Sequence, residues 1–101
     1  MSSTRLIKRV SEEEYKELIG RDIRVGHHAL FRLSESQRNL YKADTLIEIL
    51  RRERPCFVGL QHNGRCAAFF KRKGGYLRII FEVSSCLEIT TFFMTDRLPS
   101  L

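Results

Sequence analysis

A histidine and an arginine four positions apart could carry out proton-transfer chemistry in this 101-residue chain. On a helix, His28 and Arg32 lie on one stripe, so their side chains can meet. An imidazole can act as a general acid or base near neutral pH, and a guanidinium can hold a phosphate in a bidentate fork. The pair suits cleavage of RNA through its own 2′-hydroxyl, which needs no metal ion in principle. The alternative is an ordinary histidine at the start of a helix.

A second set of residues combines positive charge with an aromatic ring. Its members, which alternate along two predicted neighbouring strands, are Lys71, Lys73, Tyr76 and Arg78. The three cations could bind RNA phosphates, and the tyrosine could stack on a base. The whole chain has a net charge of +6 and a pI near 9.7, which favours an anionic partner. The alternatives are a solvated basic face and a patch covered by a protein partner.

The histidines and cysteines do not follow a metal-binding pattern. The adjacent His27 and His28 diverge by about 100° on a helix, and no carboxylate cluster accompanies them. We therefore predict no metal and no cofactor. The three cysteines, Cys56, Cys66 and Cys86, are odd in number and lack the C-x-x-C spacing. Each is predicted to be a small buried apolar residue rather than part of a disulfide framework.

Composition excludes several classes of protein. The chain is 43% hydrophobic and 30% charged, which is typical of a folded domain, and its length fits one domain over residues 1–101. No apolar run approaches the roughly 20 residues of a membrane-spanning helix. The segment Met1–Val10 has three basic residues but no apolar region of a signal peptide. We therefore predict a cytoplasmic protein without a membrane partner.

Helical patterns occupy the N-terminal part, about residues 11–54. Ser11 and Glu14 have the spacing of a capping box at the start of a first helix. A second helix is predicted from His27 or His28 through Arg38. A third, with Asp44 as its cap and Pro55 after its end, follows the i, i+3, i+4, i+7 rule.

The pattern becomes strand-like over about residues 56–96. Four strands are predicted, at Cys56–Leu60, Arg65–Lys73, Tyr76–Val83 and Leu87–Thr95. Short turns join them in sequence, which favours an antiparallel meander. The expected fold is therefore α+β, with N-terminal helices packed on a four-stranded antiparallel β-meander.

Turn chemistry predicts the register of this meander. Two-residue turns at Asn63-Gly64 and Gly74-Gly75 would place Phe57 opposite Phe70 and Lys71 opposite Arg78. A three-residue loop at 84–86 would pair Val83 with Leu87, Phe81 with Ile89 and Ile79 with Thr91. This register places Phe57 and Phe93 on the face that meets the helices. It places on the opposite face an apolar row that could serve as a homodimer or protein-partner surface, namely Val58, Phe69, Ile80 and Phe92.

The segment His28-Ala29-Leu30-Phe31-Arg32 resembles the His-Ala-x-x-Arg motif that opens the second helix of BrnT-like toxins and of a related uncharacterised family. The helix Asp44–Arg54 and the Thr-rich strand Ile89–Thr95 follow in the matching order. These families resemble the RelE-type ribonuclease-toxin superfamily, and the likeness extends from Ile23 to about Pro99.

This resemblance implies a RelE/BrnT-like fold and a metal-independent endoribonuclease or its non-catalytic relative. Such toxins act on messenger RNA, often at the ribosome, and a small antitoxin neutralises them. His28 and Arg32 match the helix motif, while Arg78 and Thr95 match places where such sheets present polar site residues. The link Leu33–Lys42 is longer than in that pattern, and the last strand carries no Glu/His/Tyr set.

The sequence therefore predicts an RNA-binding domain that could also be an endoribonuclease. The alternatives are a non-catalytic protein-interaction module, such as a homodimer, and a nucleic-acid-binding module without chemistry. A steep fall of binding with salt would indicate nucleic acid, and a dilution-sensitive dimer would indicate a protein interface.

Overall fold

The computed structural model describes residues 6–26 and 42–99, which form two helices and one six-stranded sheet. In chain order the elements are β1 (Leu6–Arg9), α1 (Glu12–Ile19), β2 (Ile23–Val25), α2 (Ala43–Arg52), β3 (Phe57–Gln61), β4 (Cys66–Arg72), β5 (Gly75–Val83) and β6 (Leu87–Thr95). The strand order across the sheet is β1-β3-β4-β5-β6-β2. Neighbouring strands are antiparallel except β2, which runs parallel to β6.

The predicted arrangement of helices on a four-stranded antiparallel meander is wrong. The meander exists as β3 to β6, but β1 and β2 extend it at both edges into a mixed sheet. These strands have only four and three residues, too few for the alternation that identifies a strand. Backbone hydrogen bonds fix them, such as Val10 N to Val58 O at 2.8 Å beside β1 and Gly26 N to Ile89 O at 2.9 Å beside β2.

The first helix forms where the capping box predicts it. The Ser11 hydroxyl accepts from the backbone N–H of Glu14 at 3.1 Å, and the Glu14 carboxylate accepts from the Ser11 N–H at 3.2 Å. The hydrogen bonds from Ser11, with the charge of Lys8, lower the pKa of the Glu14 carboxyl. Tyr15 packs beneath this turn, and its hydroxyl donates to the carbonyl of Leu50 at 2.7 Å, which joins α1 to α2.

The second described helix starts one residue before the predicted cap, since Lys42 holds the N-cap position and Asp44 lies in the first turn. It ends at Arg52, two residues earlier than the prediction. A bidentate ion pair then fixes the chain beyond it, because Arg72 of β4 donates to both carboxylate oxygens of Glu53 at 2.8 and 2.9 Å. The helix predicted over residues 27–38 lies outside the described residues.

The main core lies between the helices and one face of the sheet. Its fully buried members are Leu46, Leu50, Ala68, Phe70, Leu77, Ile79, Phe81, Leu87 and Ile89. The face turned away from α1 and α2, called the second face below, carries a smaller cluster of Leu6, Ala67, Phe69 and Ile80 with Phe57 and Tyr76 packed against it. One face of the sheet therefore carries the main hydrophobic core, and the second face carries a mixture of polar and aromatic side chains.

The β3–β4 register differs from the prediction by one residue. Phe57 pairs with Phe69 rather than with Phe70, because the hairpin loop has three residues instead of two. Gln61 N donates to Arg65 O at 2.7 Å across this loop, and Gly64 adopts the positive φ of 87° that a three-residue loop requires. A shift of one residue exchanges the two faces of a strand, so Phe57 lies on the second face.

The last strand changes face at a β-bulge. Phe81 pairs with Ile89 as predicted, but Ile80 pairs with Thr91, so Thr90 is an extra residue. The Thr90 hydroxyl donates to the Ile80 carbonyl at 3.2 Å. Beyond the bulge, Phe92 is buried in the main core and Phe93 is on the second face, the reverse of the prediction.

The β4–β5 register differs by two residues, because the turn is Lys73-Gly74 rather than Gly74-Gly75. Lys71 therefore pairs with Tyr76, not with Arg78. An even shift preserves the faces, so Lys71, Tyr76 and Arg78 still share the second face.

The apolar row predicted as a dimer surface does not exist. Val58 and Phe92 belong to the main core, while Phe69 and Ile80 are covered on the second face, and all four are at most 5% exposed. The cysteine prediction holds for Cys66, which is buried, but is wrong for Cys56, which is exposed. No helix in the described ranges is long and apolar enough to span a membrane.

Candidate nucleic-acid interface

A row of cations and aromatic rings crosses the second face from one strand to the next. Phe57, Phe69, Arg78 and Phe93 are successive Cα partners on β3, β4, β5 and β6. Arg9 of β1 extends the row, since its guanidinium lies over the Phe57 ring. We call these five side chains the cation–aromatic row. With strands about 4.8 Å apart, it spans about 19 Å of the sheet.

Each member of the row contacts the next. The Arg9 guanidinium is 5.0 Å from the Phe57 centroid, and the Phe57 and Phe69 rings meet edge to face at 5.9 Å. The Arg78 guanidinium is 5.0 Å from the Phe69 centroid and 5.5 Å from that of Phe93. These are favourable cation–π and T-shaped geometries. The row is therefore held as one surface rather than as independent side chains.

A buried amide positions the central cation. Gln61 is only 1% exposed, and its Oε1 accepts a 2.9 Å hydrogen bond from Arg78. Its own Nε2 donates to Asn63 in the hairpin loop at 3.2 Å. Burial lowers the pKa of the Arg78 guanidinium, yet an arginine remains charged at neutral pH. The arrangement keeps a positive charge among the rings at a fixed position.

Three of the four predicted RNA-binding residues share the second face with this row. Lys71 lies over the Tyr76 ring, with Nζ 4.8 Å from the centroid. Arg78 is two residues beyond Tyr76 on the same strand and lies between Phe69 and Phe93 rather than beside Lys71. Lys73 is an exposed residue of the hairpin turn.

The acidic residues of the second face lie at its other end. Glu82 and Glu88 are Cα partners, and each binds an arginine. The Arg65–Glu82 pair is 2.7 Å long and the Arg24–Glu88 pair 3.1 Å. Since Glu82 follows Arg78 by four strand residues, their Cα atoms are about 13 Å apart. Arg65 and Arg24 balance the charge of these two carboxylates.

The exposed rings of the second face, two from the row and that of Tyr76, have the chemistry of a base-stacking platform. Phe93 is 44% exposed, and Phe57 and Tyr76 are half-buried. Exposed ring faces and guanidinium planes stack on unpaired bases, while lysine and arginine bind the phosphates between them. The spacing of rings and cations along one line suits a polymer that repeats a base and a phosphate.

Sequence reasoning missed Arg9, Gln61, Phe57 and Phe93 as members of this surface. Arg9 ends a strand that is too short to detect from the sequence. Phe57 lies on the second face because the β3–β4 loop has one more residue than predicted, and Phe93 lies there because of the bulge at Thr90. The alternation of side chains along the last strand does not show that Thr90 is an extra residue.

The predicted catalytic pair, His28 and Arg32, lies outside the described residues. Within residues 6–26 and 42–99, no three His, Cys, Asp or Glu side chains form a group that could hold a metal ion. Comparison of the chain with protein-family models, curated proteins and solved structures gives no match. The resemblance to BrnT-like and RelE-type toxins therefore stays a prediction.

Proposed function

We propose that this protein binds single-stranded RNA on the second face of its sheet. The observation that carries the proposal is the cation–aromatic row, in which Arg78 lies between two phenylalanine rings. Bases stack on the exposed rings of Phe93, Tyr76 and Phe57. Phosphates contact Lys71, Arg78 and Arg9.

Single-stranded rather than duplex RNA fits this surface. Stacking on a protein ring needs a base whose face is free, and in a duplex both faces of each base are covered by neighbours. The row spans about 19 Å of the sheet, and sheet surfaces of small RNA-binding domains hold about two to four nucleotides. That number is typical of a small single-strand binding site.

Charge supports the same ligand. The chain has six more basic than acidic residues, and the acids on the second face are paired with arginines at its far end. A polyanion that approaches the row therefore meets positive potential. We propose that the RNA is messenger or ribosome-associated RNA in the cytoplasm, as the toxin resemblance implies.

RNA cleavage by His28 and Arg32 and neutralisation by a small antitoxin are further parts of this proposal. Incubation of labelled RNA with the wild-type protein and with His28→Ala, in the presence of a chelator, tests the cleavage step. A metal-independent endoribonuclease gives fragments with the wild type only. Intact RNA in both samples contradicts the enzyme hypothesis and leaves RNA binding in place.

The binding proposal is tested by fluorescence anisotropy with a labelled oligouridine and with a duplex of equal length. We expect tighter binding of the single strand and a steep fall of affinity with salt. Analytical ultracentrifugation over a dilution series tests the alternative function, a protein-interaction module that forms a homodimer. A dimer that dissociates on dilution, together with no binding of the single strand, would show that the second face is a protein interface.

A further inference from the structure

An open cavity of about 530 Å³ adjoins one end of the cation–aromatic row. Arg9 and Phe57, the first two members of the row, also line the cavity. Its other side is formed by the start of α1 and by the segment that leads from α2 into β3, including Glu12, Arg54 and Pro55. A nucleotide bound at this end of the row therefore lies next to the cavity, because Arg9 and Phe57 belong to both.

The walls of the cavity combine flat apolar surface with two kinds of charge. Phe57 and Pro55 provide apolar surface on which the face of a base could pack. Arg54 donates to Glu12 at 3.1 Å, a contact between one guanidinium nitrogen and one carboxylate oxygen. Each group has further hydrogen-bonding atoms, so the pair offers donors and acceptors side by side. The size lies within the usual range for small-molecule sites.

Among the four RNA bases, guanine matches this pair. Its Watson–Crick edge has two adjacent donors, N1–H and the N2 amino group, which suit the two oxygens of a carboxylate. Its O6 and N7 atoms accept from an arginine. Adenine, cytosine and uracil each present an acceptor where guanine presents one of its two donors, and an acceptor facing the Glu12 carboxylate is repelled.

We infer that this cavity is a guanine-selective pocket at the end of the RNA-binding row, with Glu12 and Arg54 as the residues that read the base. The inference rests on the proposed function, because the pocket adds selectivity to a strand that the row already holds. The RNA bound by this protein is then a single strand that carries a guanosine at one end of the bound segment.

The test compares labelled oligouridines in which one uridine is replaced by guanosine, inosine or adenosine, at either end or at the centre. We expect guanosine at one end position to tighten binding at least about tenfold, as expected for a bidentate base contact. Inosine, which lacks the N2 amino group, should keep only part of the gain, and adenosine should give none.

Matched variants test whether the gain in affinity from guanosine comes from the pocket. Glu12→Gln should abolish most of the guanosine preference, and Glu13→Gln, which removes the neighbouring charge outside the cavity, should keep it. Arg54→Ala should reduce the preference, whereas Arg52→Ala, which removes an arginine paired with Glu48, should not. Circular dichroism establishes that each variant is folded.

The outcomes separate the two proposals. Tight binding of oligouridine with no preference for guanosine at any position would overturn the pocket and leave the RNA-binding row intact. An equal preference in the wild type and in Glu12→Gln would also overturn it. No binding of any single strand would overturn both the pocket and the proposed function.

Discussion

The guanidinium of Arg78 on β5 donates a 2.9 Å hydrogen bond to Oε1 of Gln61, which is the last residue of β3. Strand β4 lies between them, so this contact spans the width of one strand on the second face. Gln61 is almost fully buried, at 1% exposure. A fixed amide thus orients the cation that lies between the rings of Phe69 and Phe93.

Replacing this amide should weaken RNA binding without changing the charge of the protein. For Gln61→Met, which preserves side-chain volume, we expect a loss of about tenfold in affinity, equivalent to one charge-assisted hydrogen bond of about 1.5 kcal/mol. The dependence of log affinity on log salt should be unchanged, because no phosphate contact is removed. Anisotropy titrations at several salt concentrations measure both quantities. The control is His62→Ala, an exposed change in the adjacent loop, and equal losses in the two variants would argue against a positioning role.

Phe93 should contribute a stacking contact. Phe93→Ala is expected to weaken single-strand binding by about five- to hundredfold, because a base–aromatic stack contributes about 1–3 kcal/mol. Met94→Ala is a close control, since Met94 is the next residue on β6 and is 47% exposed against 44% for Phe93, but it points to the opposite face. An equal effect of both substitutions on affinity would contradict the proposal that RNA binds the second face.

Phe93 lies on the face opposite to the predicted one because the last strand contains one extra residue. The alternation of the last strand and the loop before it predict the pairs from Val83 to Phe81 correctly. After the extra residue Thr90, each side chain of the strand lies on the face opposite to the predicted one. The Thr90 hydroxyl donates to the Ile80 carbonyl, which lies on the neighbouring strand and is close only in the folded sheet. Local propensity cannot locate a bulge that is fixed by a partner strand.

Lys71 should act through its charge rather than through a fixed contact. Lys71→Ala is expected to reduce the slope of log affinity against log salt by about 0.7, the value for one phosphate contact on a single strand. Lys16→Ala removes the same charge from the exposed surface of α1 and should leave the slope unchanged. A slope that falls equally in both variants would indicate that only the net charge matters.

Other parts of the structure could be predicted because their signals are local. The capping box of Ser11 and Glu14 and the apolar stripe of α2 depend on residues within a few positions of each other. The edge strands β1 and β2 could not, since each forms only by pairing with a strand more than fifty residues away. The cation–aromatic row depends on those long-range pairings, and Arg9 enters it only through one of them.

The buried hydroxyl of Tyr15 should make stability fall at alkaline pH. Burial raises the pKa of the Tyr15 phenol well above its usual value of 10, with a further increase from the charge of Glu53. The unfolded chain loses this proton first, so the contribution is fully present below pH 10 and declines as the pH rises towards the folded-state pKa. The decline should be about 1.4 kcal/mol per pH unit for one proton.

Urea denaturation of the wild type and of Tyr15→Phe between neutral pH and pH 11 measures this difference. The variant should be about 1 kcal/mol less stable at neutral pH, where it lacks the hydrogen bond to Leu50. The gap should narrow above pH 10. Parallel curves over the whole range would contradict a buried, protonated phenol.

An NMR titration of the labelled protein with a short single-stranded RNA tests the central claim most directly. We predict that amide and side-chain shifts change along the cation–aromatic row, most strongly at Arg78, Phe93 and Phe57, while the exposed surfaces of α1 and α2 beyond the cavity do not respond. Shifts confined to those helix surfaces, or no shifts at RNA concentrations well above that of the protein, would contradict the account.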